Sequence, residues 1–434
     1  MSGTPTDPPR MAWLDGLRGV AATQVVLLHY ASAFLPAIGL RDAKVVHFHW
    51  ENAFIYTPLF LPFDGYSAVY IFFVLSGVAL TYSFADTPYA LPSSVIRRII
   101  RLGLPMMGGI LLGVGWFSLW PDVHIPASHL SGSVWLAVLG PDRITLATIA
   151  HQIGLEGLLS GYEEFSVLSS AIRKTLGLTS LFHSFVPPLW TLHVELVGSL
   201  LILALVALRQ AIGRRLHLIL CLMLIISLLS SMLFLFVVGH VAADWLRTPA
   251  DRRSNLLLGA GLLALGILLC TTDPIPIVFR LSGWFPTPFV GRREPPILAQ
   301  SMYGAAATFF GLACLPWLQL TLTQPLFQRL GKISFSLYLT HFPIVITVAS
   351  AAFCLLSPKL PYFAIVLIVM TAGCLASLLM AFSFEFLVDR QAIRLSRLVF
   401  NKLRHVHQPD SASDRRPSTE QTTLLPGATS RHPD

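Results

Sequence analysis

An all-α, polytopic bundle of transmembrane helices is the fold class the sequence predicts, and three observations carry it. Apolar residues make up 54% of the 434 and charged residues 12%, against about 25% charge in ordinary soluble domains. The mean hydropathy is +0.68. The apolar residues gather into runs of membrane length, about 20 residues, and the basic residues fall between those runs. So little charge cannot cover a soluble surface; a bilayer removes that requirement.

In chain order the runs are 19–38, 66–85, 102–120, 187–208, 255–271, 302–320, 333–356 and 361–387. The stretch 217–246 is too long for one ordinary span. The basic clusters help to parse it: Arg97, Arg98 and Arg101; Arg209, Arg214 and Arg215; Arg329 and Lys332; Arg390, Arg394, Arg397, Lys402 and Arg404. A break near Ser230–Ser231 puts all of them on one face, as positive-inside loops require. That parse predicts about ten membrane helices with both termini cytoplasmic, in a multi-pass protein of the plasma membrane or an endomembrane. The chain then divides into a flexible N-terminus (1–11), a membrane-embedded domain (12–404) and a disordered polar tail (405–434).

The Pro-rich N-terminus has no signal-peptide pattern, so the first helix is expected to direct insertion. Three long connections, 39–65, 121–186 and 272–301, fall on the non-cytoplasmic side of this parse. The second holds amphipathic pieces such as 144–160, expected against the bundle or at the interface. The third carries Trp284 and Phe285 among prolines, suited to capping an apolar ligand or to interface packing. The net charge of +8 comes from loop arginines facing anionic lipid, and no nucleic-acid motif accompanies it. None of the five cysteines has CxxC spacing, so neither a zinc site nor a disulfide framework is expected. No internal repeat of 20–50 residues is evident.

Ionisable groups inside spans are costly and usually mark function. The first helix, WLDGLRGVAATQVVLLHY, carries Asp15, Arg18, Gln24 and His29. Arg18 and His29 are eleven residues apart, which is about 20° from three full turns, so they share a face roughly 16 Å apart along the axis. His29 is expected about halfway across, Arg18 at the cytoplasmic rim. Taken singly, His29 could make only a packing hydrogen bond, and Arg18 could be a snorkelling anchor. The second helix contains FFVLSG, small residues suited to close packing. In RRIIRLGLP, Arg97, Arg98 and Arg101 are either a topology anchor or a phosphate clamp. The segment PPLWTLHVELVGSLL brings in His193 and Glu195 on opposite faces, with Thr191 beside Glu195. Glu195 needs a partner there and reads equally as a structural ion pair or as a catalytic group. In LGKISFSLYLTHFPI, Ser334, Tyr338 and His341 fall on one stripe within about 40°.

These segments together, in this order over about residues 12–390, resemble acyltransferase family 3, a family of integral membrane O-acyltransferases. The resemblance implies transfer of an acyl group, acetyl first among them, from acyl-CoA to a hydroxyl of a small molecule, lipid or carbohydrate. It implies that Arg18 and His29 are essential and that Arg97, Arg98 and Arg101 belong to the acyl-CoA site. Trp190, Leu192 and Glu195 match the family's W-x-L-x-x-E element; Ser336, Tyr338, Leu339 and His341 match its late S-x-Y-L-x-H element. Departures occur at Tyr70-Ile71, where the family commonly has an acidic residue, and at Leu196-Val197-Gly198, where it has aromatics. The acidic role, if kept, passes to Asp64 or Tyr70. No appended extracellular domain is expected.

The chemistry expected is direct attack of an acceptor hydroxyl on the thioester, with neutral His29 as base. Tyr338 and His341 are candidate oxyanion donors, and no metal is called for. Two rival classes are a secondary transporter, which coenzyme A binding would discriminate against, and the unrelated membrane-bound acyltransferases that pair a His with an upstream Asn or Asp.

Overall fold

In a computed structural model that describes residues 11–85, 91–249, 253–278, 280 and 295–407, every regular element among the described residues is helical. Residues 1–10, the Trp284–Phe285 stretch and the tail from 408 lie outside the described residues.

Helix α1, Ala12–Phe34, ends at Leu35, which is non-helical because Pro36 follows it. It thus starts and stops earlier than the apolar run 19–38. His29 lies five residues before its end. Helix α2, Gly65–Ala85, starts on Asp64, whose Oδ1 accepts the Ser67 amide at 3.1 Å. Helix α3, Leu91–Leu119, extends back past the apolar run and so includes all three arginines of its cluster. Helix α4, Trp190–Ser227, is broken at Gly213, whose φ of 76° is open to glycine without strain. Helix α5, Leu233–Leu246, follows a turn through Ser230–Ser231, so the expected break is present. With 14 residues, α5 is about 21 Å long, short of a ~30 Å bilayer core.

Helix α6 is Leu256–Thr271, and α7 is Pro296–Ala313. The run 302–320 is not one straight span: α7 stops before Pro316, and α8, Pro316–Leu322, turns away by 97°. Helix α9, Pro325–Ile344, continues through one π turn to Leu356. Helix α10, Tyr362–Phe384, runs through a second π turn into α11, Arg390–His407, beyond the predicted end at 387. Five helices are long and apolar enough to cross a membrane, or six with the bent pair α7–α8 counted as a span. Length and composition among the described residues therefore fall short of ten. Arg18, Gln24 and His29 dilute α1, and α5 and α6 are short.

Helix α1 packs between α9 and α2. It touches α9 backbone to backbone: a Cβ on Gly19 would lie 2.6 Å from the Gly331 amide nitrogen, and one on Gly331 would strike the Asp15 carbonyl. Small residues of this kind are what permit close helix approach in lipid, where water supplies no hydrophobic drive. The α2–α5 contact repeats the device at Gly77 and Gly239. The amphipathic piece from Leu146 to Ser160 lies against α3 and α4 rather than apart from the bundle.

Gly331→Ala is expected to cost about 1–3 kcal/mol through overpacking and to lower the thermal midpoint in detergent. Gly115→Ala, at a position with nothing within 4 Å of an added Cβ, should leave that midpoint unchanged or slightly raised. Equal losses in the two variants would show that the α1–α9 contact is not tight.

Candidate active site

A cavity of about 970 Å³ opens among α1, α2, α3, α4, α9 and the α10–α11 junction. Its wall carries four basic groups, Arg18, Arg98, Arg101 and Lys332, and four acidic ones, Asp15, Glu195, Glu385 and Asp389. The basic residues come from three different helices, which is why the sequence could group Arg98 with Arg101 but not with Lys332. Most of these charges are already engaged. Arg98 pairs with Glu195 and donates from Nε to Ser199 Oγ at 2.7 Å. Arg101 pairs with Asp389 and stacks over the Phe335 ring, 4.9 Å from its centroid. Arg18 approaches Asp15 at 3.5 Å, a long contact on the same helix. Arg97 stands apart from the cavity wall, over the Phe400 ring of α11 at 5.2 Å. The predicted arginine cluster is thus split, two groups facing the cavity and one facing α11.

Thr191 and Tyr338 also line the cavity. The Tyr338 hydroxyl donates to the Pro188 carbonyl at 2.7 Å and accepts from Thr191 Oγ1 at 3.1 Å. The Pro188 carbonyl stands in the short 3₁₀ segment that Pro187 begins before α4, and it also accepts from Thr191 Oγ1 at 3.2 Å. The proton of Tyr338 is therefore occupied, and the hydroxyl is not poised to donate to an oxyanion. Ser334, on the same stripe, lines the cavity and donates to the Gly331 carbonyl at 2.8 Å.

Behind Tyr338 lies the pair that the sequence could not assemble. His29 Nδ1 is 2.9 Å from His341 Nε2, and His341 Nδ1 is 2.8 Å from the Leu337 carbonyl oxygen. A carbonyl can only accept, so His341 Nδ1 carries its proton. For two neutral rings, His341 Nε2 then holds a lone pair and His29 Nδ1 must donate to it. That leaves the lone pair of His29 on Nε2, the nitrogen with no ring partner in this chain of bonds. Trp135 stacks on His29 at 5.7 Å, and Phe342 meets it edge-on at 5.2 Å. Trp135 belongs to a short helix fixed to the far end of α1 by Ser133, whose hydroxyl donates to the Ser32 carbonyl at 2.6 Å. His341 is fully buried, and His29 is partly buried.

The remaining predicted positions are placed as follows. His193 points away from Glu195, its Nε2 accepting the Val167 amide at 3.3 Å, as the helical period requires. Neither substitute for the family's acidic residue reaches the cavity. Tyr70 is buried on α2, and Asp64 caps that helix outside the bundle's centre. Burial pushes the Asp64 carboxyl up, against the opposing pull of its Ser67 hydrogen bonds and the Arg41 guanidinium. The sequence did not bring Lys332, Glu385 or Asp389 to the cavity, nor Trp135 onto His29, because each arrives from a segment distant in the chain.

Comparison with known proteins places these features in context. The family described as "Acyltransferase domain" (acyltransferase 3) matches residues 11–380. The O-acetyltransferase PaAT-1 of Phomopsis amygdali is 26% identical over 397 residues, covering 78% of this chain and 73% of that protein. No solved structure matches.

The Arg98–Glu195 pair supplies a test of how the cavity charges are held. Removing one partner of a buried pair leaves a charge stranded and costs about 3–5 kcal/mol, whereas an apolar replacement of both is close to neutral. Glu195→Leu should therefore destabilise strongly in a denaturant titration in mixed micelles, and Arg98→Met with Glu195→Leu should recover most of the loss. A double variant no better than the single one would mean the two side chains are not coupled.

Proposed function

Because the chain belongs to the acyltransferase 3 family and is a membrane acyltransferase of the non-aminoacyl class, we propose that it is an O-acetyltransferase in which His29 Nε2 is the general base. In this reading acetyl-CoA is the donor and a hydroxyl of a small molecule, lipid or carbohydrate is the acceptor. The observation that carries it is the chain Leu337 carbonyl, His341, His29, which fixes the tautomer of His29 and leaves Nε2 able to take a proton. A base must be unprotonated near neutral pH and held in one orientation; the buried neighbour His341 supplies the orientation.

The donor approaches from the arginine end. Its phosphates would engage Arg18, Arg98, Arg101 and Lys332 in competition with Glu195 and Asp389, so donor binding would loosen the Arg98–Glu195 and Arg101–Asp389 pairs. The acceptor would reach His29, which is only partly buried, beside the Trp135 ring that stacks on it. As the acceptor oxygen attacks the thioester carbonyl, its proton passes to His29 Nε2. The tetrahedral intermediate then collapses, the C–S bond breaks, and the coenzyme A thiolate takes up a proton. Tyr338 and His341 act here as positioning groups, since both of their protons are committed to backbone carbonyls.

The orientation proposed is multi-pass, with the basic clusters and both termini cytoplasmic and the short helices α5 and α6 completing about ten membrane-embedded segments. Half-length helices are tolerated at membrane depth where protein buries their ends, and α5 is largely buried.

Acyl transfer is to be measured in membranes at matched abundance, with acetyl-CoA and an extract of candidate acceptors, the product being identified by a mass gain of one acetyl unit. His29→Ala and His29→Gln should each lose about 10²–10⁴-fold in rate. His341→Ala should lose about 100-fold through misplacement of the base, mainly in kcat and with a displaced pH profile. Full activity in the His29 variants would remove the base from the mechanism, and no acetylated product with any acceptor would remove the reaction.

A further inference from the structure

A second histidine pair lies away from the cavity, and the reaction does not use it. His217 and Cys221 stand one turn apart on the arm of α4 beyond Gly213, and His240 faces them from α5. All three are buried. His217 Nε2 is 2.9 Å from His240 Nε2 and 3.4 Å from Cys221 Sγ, and one ligand atom from each residue lies within 4.8 Å of the others.

We propose that His217, Cys221 and His240 form a zinc(II) site that fastens the outer arm of α4 to α5. Four observations argue for it. The ligand set mixes two imidazoles with one thiolate, and zinc is the ion that both ligand types suit. A tetrahedral site with Zn–N of about 2.0–2.1 Å and Zn–S of about 2.3 Å spaces its ligand atoms by roughly 3.3–3.7 Å. The two contacts through His217 Nε2 must open by less than about 1 Å to reach those spacings, and the separation of His240 and Cys221, no more than 4.8 Å, must settle into the same range. His240 already has the outer partner that metal-bound histidines commonly have. Thr81 Oγ1 donates to the Gly77 carbonyl at 2.7 Å, so His240 Nδ1 donates to Thr81 at 2.7 Å and its Nε2 lone pair faces the cluster. Finally, His217 Nδ1 has no hydrogen-bond partner, so it is free to take the ring proton when Nε2 turns its lone pair to the ion.

On binding, zinc takes the lone pairs of both Nε2 atoms and the sulfur. The Cys221 thiol proton leaves to solvent, and the proton between the two rings moves to His217 Nδ1. One protein-free position remains for water. The neighbouring Arg209 does not repel the ion unopposed, since its guanidinium is paired with Asp244 at 2.9 Å. The consequence of binding is mechanical. Thr81 lies on α2, whose residues Ser76, Leu80 and Ser83 line the cavity, so the ion braces the α4 arm through His240 to the helix beside the cavity.

The test uses the full chain in detergent, stripped with a chelator and returned to zinc chloride alone. Elemental analysis after desalting should give one zinc per chain, with a raised thermal midpoint; cobalt(II) in its place should give a thiolate-to-metal charge-transfer band. Cys221→Ser, close in shape, should remain monodisperse, lose the cobalt band, and bind zinc at least about tenfold more weakly. Magnesium should do nothing. Substoichiometric zinc in the unaltered chain overturns the proposal. So does equal retention by Cys221→Ser, or stabilisation by copper(I) but not by zinc. His240→Asn gives a second reading should Cys221→Ser fail to fold: zinc retention undiminished in that variant also overturns it.

Discussion

Helix α1 meets α9 with no side chain between the backbones at Gly19 and Gly331, and most of the chemistry described above depends on that contact. Ordinary helix pairs lie 8–10 Å apart according to the side chains at the contact. Contact at glycine draws the axes together, and ten residues further along each helix His29 and His341 then fall within hydrogen-bond distance. A bulkier crossing would separate the rings, strand two polar groups in an apolar setting, and free the tautomer of His29. The glycines thus determine the protonation pattern of a pair several turns away.

The bilayer gives the same pressure toward internal pairing elsewhere. Unsatisfied polar groups are expensive where water is absent, and the structure answers with pairs drawn from distant segments: Arg98 with Glu195, Arg101 with Asp389, Tyr30 with Ser377, Gln24 with the Leu61 carbonyl. A cavity lined by paired charges differs from a bare positive socket. For the donor proposed above, binding would exchange carboxylates for phosphates, so its affinity would be a difference between two sets of ion pairs. That arrangement favours a ligand with several phosphates, which can replace Glu195 and Asp389 together, over a single anion, which cannot.

The α-helical class and the acyltransferase family were legible because composition and ordered motifs do not depend on contacts. The face shared by Arg18 and His29 and the opposed faces of His193 and Glu195 followed from the helical period alone. Boundaries were less legible. The apolar run 302–320 hides a 97° bend at Pro316, and 19–38 misplaces α1 because polar residues inside a helix dilute its apolar signal. The arginine cluster read as one unit, since adjacency in sequence says nothing of which neighbour each guanidinium meets. Arg97 faces Phe400 while Arg98 and Arg101 face the cavity.

Cysteine spacing in the sequence argued against a zinc site. His217 and Cys221 are one helical turn apart, and their third companion arrives from another helix through the turn at Ser230–Ser231. By itself the sequence determined the class, the family and the histidine on which acyl transfer is proposed to turn, because periodicity and motif order are local properties. The tertiary structure alone decided that His341 stands beside it and which nitrogen of His29 carries the proton. Those facts depend on distances between residues 312 positions apart, which helix packing sets and no local pattern encodes.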